Sequence, residues 1–532
     1  MSMSGKKQKN ENKDQVPNLL NKKLNRREAL STAGKVAIGV VVSGVVAGVG
    51  GYLAGSAAAP EKTVVSTVLS TVTKTVPTTV TVTATATAPA TTTTAPPKFT
   101  YKYIERLPKK PERKLIMNGW GYRPDIVKEN IRIFCEQLNE NAEYEVISGD
   151  YPAIMESKFL AGAKVDVCYG NPFHGVRWYT RGFVRSLTKV IPEYFGEDLL
   201  KKILDDMYPS VRAGWTTVDG QLIALPYFTS ARGNILYNEL LTEKAGIDEV
   251  PSSWWDLYEK VELVKKKGVS ETPFLPHWFK EWFGIAWGFL FEVMNRSKSP
   301  DGKDCLFDED FNPVFGPDTE AGKVLKDWAS LWEKGLVPKG VLTMTEADYL
   351  AAFGTGVYAY SPQQTYDLKT FNDPAHSKFA GHCRLVPVKE HSWGLLDMGG
   401  YHLCTPEDDP DFKRALQLEL WYGYRDINGV LYVAKKWAIE TALNSGYREI
   451  LEDPEVIAAY NKWMPYPEEL EYEKKIMEVV PFPWIWKAPW YLDWQTRASD
   501  LLPMAVTGQR KPEDVIKELY DYAKKLKAES GS

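Results

Sequence analysis

The sequence predicts an α/β body of two lobes, preceded by a membrane or signal segment and a threonine-rich stalk. Three observations predict it. Strand and helix patterns alternate from residue 113 onward; 532 residues exceed what one hydrophobic core usually serves; and the first hundred residues have a composition foreign to a packed core.

Residues 1–35 carry nine Lys/Arg against three acids, and residues 36–60 carry no charge. That order marks 1–35 as a basic cytoplasmic leader and 36–59 as an apolar signal or anchor helix. Charge asymmetry keeps the N-terminus inside and places the rest of the chain outside. Arg26-Arg27 resembles a twin-arginine export signal. "LAGS" at Leu53–Ser56 has the look of a lipoprotein box with serine where cysteine would stand, so lipid attachment there is excluded. From Thr63 to Thr94, 15 of 32 residues are threonine. Such Pro/Thr-rich tracts form stalks, so 60–112 reads as stalk and linker. A stalked body with a twin-arginine-like leader and no lipid cysteine fits an archaeal cell surface, on the extracellular face of the membrane.

In the body, "RKLIMNGWG" reads as a strand. "DIVKENIRIFCEQLNEN" has helical spacing, with Ile126, Val127, Ile131, Phe134 and Leu138 on one side. "YEVISGDY" is a second strand, "PAIMESKFLAG" a second helix, and "KVDVCYGNP" a third strand. This alternation predicts a parallel sheet with ligand-facing residues at the carboxyl ends of its strands. Those ends carry Trp120, Asp150-Tyr151 and Asn171-Pro172-Phe173. Further on, Leu222–Leu225 and Ile235–Tyr237 read as two strands broken at Pro226-Tyr227.

Several function classes are excluded. The last 435 residues hold 54 Lys/Arg against 65 Asp/Glu, a poor surface for phosphates, so no nucleic acid is expected. The five cysteines (135, 168, 305, 383 and 404) form no CxxC, and the six histidines form no HxH or HExxH, so no metal is expected. Cys383 and Cys404 lie in strand-like runs and would pair only if those strands are neighbours. No GxGxxG or Walker sequence follows a strand, so no nucleotide cofactor is expected.

Longer stretches carry a family resemblance. "GDYPAIMESKFLAGAKVDVCYGNPF", "DGQLIALPYFTSARGNILYNELLTEKAG", "EADYLAAFGTGVYAYSPQQTYDL", "GGYHLCTPEDDPDFKRALQLELWYG" and "LLPMAVTGQRKPEDVIKELYDYAKKL" resemble, in that order, the extracellular solute-binding proteins of ABC importers, maltose-binding type. The resemblance covers about residues 113–527. It implies a two-lobed, periplasmic-binding-protein-like clam with several hinge crossings. Residues 113–226 plus 383–436 would form lobe 1, and 227–382 plus 437–527 lobe 2. Crossings are expected at Pro226-Tyr227, near His382–Pro387 and near Val433–Thr441. The implied partners are a small solute, a carbohydrate by preference, and the permease subunits of the importer. Neither a cofactor nor a catalytic residue is implied.

A sugar needs flat apolar walls for its C–H face and directed polar groups for its hydroxyl rim. Expected aromatic walls are Trp120, Tyr151, Phe173, Tyr227, Trp278, Tyr360, Trp393, Trp484, Trp486 and Trp490. Expected polar contacts are Asp150, Asn171, Arg232, Gln363 and Gln364. Each has a plainer reading. Asp150 equally suits a helix cap, Arg232 a solvated surface, and Trp254, Trp255, Trp282 and Trp287 sit at helical spacings that suit core packing. Thr229-Ser230 replace the acid expected after the crossover proline, and "SPQQTY" replaces a tryptophan-rich loop, so maltose itself is disfavoured. A non-sugar solute such as a peptide, polyamine or anion is the alternative. An extracellular glycoside hydrolase, with two carboxylates across the sugar, is the more distant one.

Overall fold

The computed structural model describes residues 103–531, apart from 300, 301, 304, 389 and 390. The leader, the apolar segment and most of the stalk lie outside the described residues. Among those described, no helix is long and apolar enough to cross a membrane.

One mixed sheet of seven strands organises the body, in the order β2-β1-β3-β7-β4-β5, with β6 also paired to β4. The strands β1 (Leu115–Trp120), β2 (Ala142–Ile147) and β3 (Val167–Gly170) are parallel, as their alternation with helices requires. The first intervening helix, Pro124–Leu138, buries Ile126, Val127, Ile131, Phe134 and Leu138, the stripe its spacing predicts. Four further strands are β4 (Leu225–Asn238), β5 (Tyr360–Gln364), β6 (Cys383–Leu385) and β7 (Leu395–Leu403). All their pairings are antiparallel.

The break expected at Pro226-Tyr227 is absent. β4 runs for 14 residues through the proline, and Leu222 makes only an isolated bridge to Thr216. Its first half, Leu225–Arg232, pairs with β7, and its second half pairs with β5 and β6. Pro226 is tolerated because the β4–β7 register shifts between Pro226 and Phe228, so the missing N–H falls at an irregularity rather than inside a regular ladder. The segment His382–Pro387 holds β6, which stays at the far end of β4, and Val433–Thr441 lies inside the helix Tyr432–Thr441. The strand that runs back along β4 to reach β3 is β7.

That topology separates Cys383 from Cys404, because β6 and β7 pair with opposite ends of β4. The neighbour of Cys404 is Cys168, with the two sulfurs 3.5 Å apart.

Candidate functional site

Arg232 is the centre of a buried polar constellation on the sheet. It lies at the midpoint of β4, where the ladder passes from β7 to β5, and is 6% exposed. Its Nε donates to Asp397 Oδ2 on β7 at 2.9 Å, and its Nη1 donates to Glu346 Oε1 at 3.1 Å. The same Nη1 lies 3.2 Å from His277 Nε2. His277 Nδ1 is 2.8 Å from the Gly284 carbonyl. A carbonyl only accepts, so Nδ1 carries the proton and Nε2 is left to accept from Arg232. Burial, reinforced by the Arg232 charge, lowers the His277 pKa to about 3, which keeps the ring neutral in that role. Burial disfavours the Arg232 charge, but Asp397 and Glu346 outweigh it and raise its pKa.

Backbone geometry aims this arginine. Gly233 has φ +97°, and a Cβ there would meet the Phe291 ring at 2.6 Å. Only glycine fits this turn of the chain, and the register shift between Arg232 and Asn234 follows from it.

Aromatic rings close one side. Trp287 faces the guanidinium at 5.0 Å, within the range of a cation–π contact, and its Nε1 donates to Gln495 Oε1 at 2.6 Å. Trp486 packs on Trp287 with centroids 5.1 Å apart, and Phe173 meets both edge-on. Phe173 is delivered by the helix Pro172–Thr180 directly after β3. Asn171, just before it, donates from Nδ2 to the Met398 carbonyl at 2.9 Å, which ties the end of β3 to the strand bearing Asp397.

A second aromatic group lies at the carboxyl end of β1. Trp120 sits among Tyr151, Tyr169 and Tyr227 at 5.0–5.8 Å. Tyr227 continues to Trp437, which stacks on Tyr122. Tyr122 is 45% exposed, so this group reaches solvent.

Two acids are buried near the end of β5. Ser230 on β4 contacts Thr365, whose Oγ1 donates to Glu473 Oε1 at 3.1 Å. Asp367 accepts from the Gln364 N–H at 3.1 Å. Burial raises the pKa of both acids to about 7, from 4.5 for Glu473 and 3.8 for Asp367. In the unfolded chain they would release their protons near the lower values. Between those values and about pH 7 the folded state therefore binds protons that the unfolded state has lost. Their contribution to stability is full below pH about 4 and falls as the pH rises to about 7, by roughly 1.4 kcal/mol per pH unit for each group. Glu473→Gln is expected to flatten this fall between about pH 5 and 7, measured as the wild-type minus variant difference in urea unfolding. An unchanged difference across that range would exclude the shift.

The sequence-derived candidates divide sharply. Phe173, Arg232 and Trp486 meet in the first cluster, with Asn171 bracing it, and Trp120, Tyr151 and Tyr227 meet in the second. Gln364 is buried, with its Nε2 toward the Tyr366 hydroxyl, and Gln363 donates to Ser361. Asp150 is an N-cap, accepting from the Ala153 N–H at 3.2 Å, so it serves its helix. Trp278 packs on Trp328, Trp393 on Trp254, Tyr360 on Tyr237 and Trp490 on Phe307. These four are interior packing, because the helices and strands beside them need bulky cover. Trp484 lies apart, donating to the Glu309 carbonyl beside Lys303 and Lys487. Arg232 is buried rather than solvated, since Asp397 and Glu346 balance its charge and His277 accepts from it. Residues missed from sequence are His277, Trp287, Glu346, Asp397 and Gln495. A buried arginine in mid-strand calls for an acid on the neighbouring strand, and Asp397 in "LLDMGGYHL" was the available signal. Cavities of about 360 and 240 Å³ lie elsewhere, the first beside Cys404 and the second beside Tyr208 and Arg448.

Residues 122–381 match the family model described as bacterial extracellular solute-binding protein. No curated protein matches the chain. Among solved structures, maltose-bound MalE3 of T. maritima is 21% identical, with a TM-score of 0.61 over 78% of this chain and 99% of its own. An ABC transporter solute-binding protein of Agrobacterium vitis S4 with bound D-mannitol is 19% identical, with a TM-score of 0.59 over 79% and 99%. A chitin oligosaccharide binding protein is 15% identical, with a TM-score of 0.61 over 78% and 99%. At these identities the likeness is one of fold, while the family match rests on the sequence itself. Residues 122–381 therefore carry the sequence pattern of the extracellular solute-binding proteins, and the described body shares the fold of such proteins.

Proposed function

We propose that this protein is the receptor of an ABC importer and captures a sugar or oligosaccharide between two lobes joined by β4 and β7. The carrying observation is the cluster at Arg232. It sets flat rings, Trp287, Trp486 and Phe173, against a charged hydrogen-bonding group, Arg232 with Asp397 and Glu346, on the strands shared by both lobes. A pyranose asks for that combination: a ring face to pack on and directed donors and acceptors for its rim. Gln495 Nε2 and Gln364 Oε1 are buried without a protein partner among the described residues, and sugar hydroxyls would complete them. The ligands of the similar structures, maltose, D-mannitol and chitin oligosaccharide, support the class. The family and these neighbours are binding proteins, which supports a receptor over an enzyme. In this reading a ligand touching both lobes favours the closed state, which the permease recognises. The leader and Thr-rich tract would hold the receptor at the extracellular face of the cell membrane.

The test is thermal unfolding against a panel of saccharides, sugar alcohols, peptides, polyamines and anions. A saccharide at 100 times its dissociation constant is expected to stabilise the protein by about 2.7 kcal/mol and to be recovered chemically intact. Stabilisation by a polyamine or anion alone would overturn the sugar reading, and hydrolysis of the saccharide would overturn the receptor reading.

A further inference from the structure

We propose that Cys168 and Cys404 form a disulfide in the exported protein, closed by exchange with a disulfide oxidant that reaches Cys404 through the adjoining cavity.

The ladder brings the two residues together from 236 positions apart. Cys168 on β3 is paired with His402 on β7. The Cys404 N–H donates to the Asp166 carbonyl at 2.9 Å, which extends the same ladder by one step. Side chains alternate along a strand, so Cys168 and Cys404, each two positions from the other's partner, project on the same side. Their sulfurs lie 3.5 Å apart, in van der Waals contact, and side-chain rotation has to bring them to about 2.0 Å for a bond. Cys135 and Cys383 offer no competing pair. Cys135 and Cys305 direct their thiols to the carbonyls of Ala142 and Gly302, and Cys383 lies on β6 at the other end of β4.

Access is uneven. Cys168 is fully buried, whereas Cys404 lines the cavity of about 360 Å³ together with Arg113, Lys164, Asp166, Arg185 and Asp409. Cys404 is therefore the attacking sulfur. Its thiol gives up a proton to solvent, and the thiolate attacks one sulfur of the oxidant, whose other sulfur leaves as a thiolate with the electron pair of the broken S–S bond. Cys168 then loses its proton and attacks the Cys404 sulfur of the mixed disulfide, expelling the second thiolate. Two protein thiols are oxidised, and one oxidant disulfide is reduced to two thiols. Burial pushes the Cys168 thiol well above its ordinary pKa, so the second step is the slow one. Proteins of extracellular families meet oxidising surroundings in which such a bond persists.

The test uses the full chain, purified reduced and then incubated with oxidised glutathione. The expected product is lighter by two hydrogens, resists alkylation at two cysteines until reduced, and yields one linked peptide joining residues 168 and 404. Its thermal midpoint is expected to rise by several degrees and to return on reduction. Cys168→Ser and Cys404→Ser should each abolish the linked peptide and the rise, while Cys383→Ser retains both. Alkylation of all five cysteines without reductant, glutathione held on Cys404 with no internal bond, or a linkage through Cys383 would each overturn the proposal.

Discussion

Asp397→Ala is expected to destabilise the protein by about 3–5 kcal/mol, the range for removing one partner of a buried ion pair. Arg232 would keep its charge, since a guanidinium does not deprotonate in proteins, but would lose the 2.9 Å acceptor that faces its Nε. The Asp397 side chain is 4% exposed, so water does not replace it cheaply. Glu346 cannot take over, because it already holds Nη1 and its own side chain is partly solvated. Asp397→Asn keeps an acceptor oxygen and should recover part of the loss. The measurement is urea unfolding at pH 7, compared between variants by midpoint at constant slope. A loss below about 1 kcal/mol would mean that Arg232 has a solvent route open to it and is not the buried hub. The same variant should fail to respond to any saccharide that stabilises the wild type.

Trp486→Ala is the other large expected effect, again about 3–5 kcal/mol, as for emptying a buried large aromatic site. Trp486 is wholly buried between Trp287, Phe173 and Phe482. Removing it leaves Trp287 without one wall and lets it drift from Arg232. Trp486→Phe should retain most of the stability, because a smaller ring keeps the edge-on contact with Phe173. Trp484→Ala is the control. That ring is partly exposed and stands beside two lysines, so its loss should cost about 1 kcal/mol or less. Equal losses at 484 and 486 would remove the distinction between the central cluster and its surroundings.

Those two tryptophans also show why the sequence alone could not single out the cluster. "PFPWIWKAPW" presents Trp484, Trp486 and Trp490 alike, in an irregular proline-rich run, and nothing in spacing separates a ring that faces a neighbouring chain segment from one at a central cluster. Trp287 shows the converse. Its helical spacing correctly says buried, and it is, but periodicity is silent about what lies across the buried face, which here is Arg232. The parallel strands and their helices were legible because each depends on local alternation, as in Leu115–Trp120 and Pro124–Leu138. The central cluster draws on residues 173, 232, 287, 346, 397, 486 and 495, and such convergence is a property of topology. Arg232 misled for the same reason: beside Ser230 and Gly233 it has the neighbours of a surface arginine, and its three partners come from distant segments. Pro226 misled differently, since a proline usually ends a strand, and only the register shift beside it lets β4 continue.

The unbroken course of β4 bears on how such a receptor would open. If two lobes share β4 as proposed, they could not part there as loosely linked plates without stripping backbone hydrogen bonds from β7, β5 and β6 together. Opening of the proposed receptor would instead be torsional, a change in the coil of a common ribbon, with the glycine bulge at residue 233 as its softest point. Amide protection along Leu225–Asn238 would accordingly stay high whether or not solute is held, while the loops at either side alternate between shielded and wet.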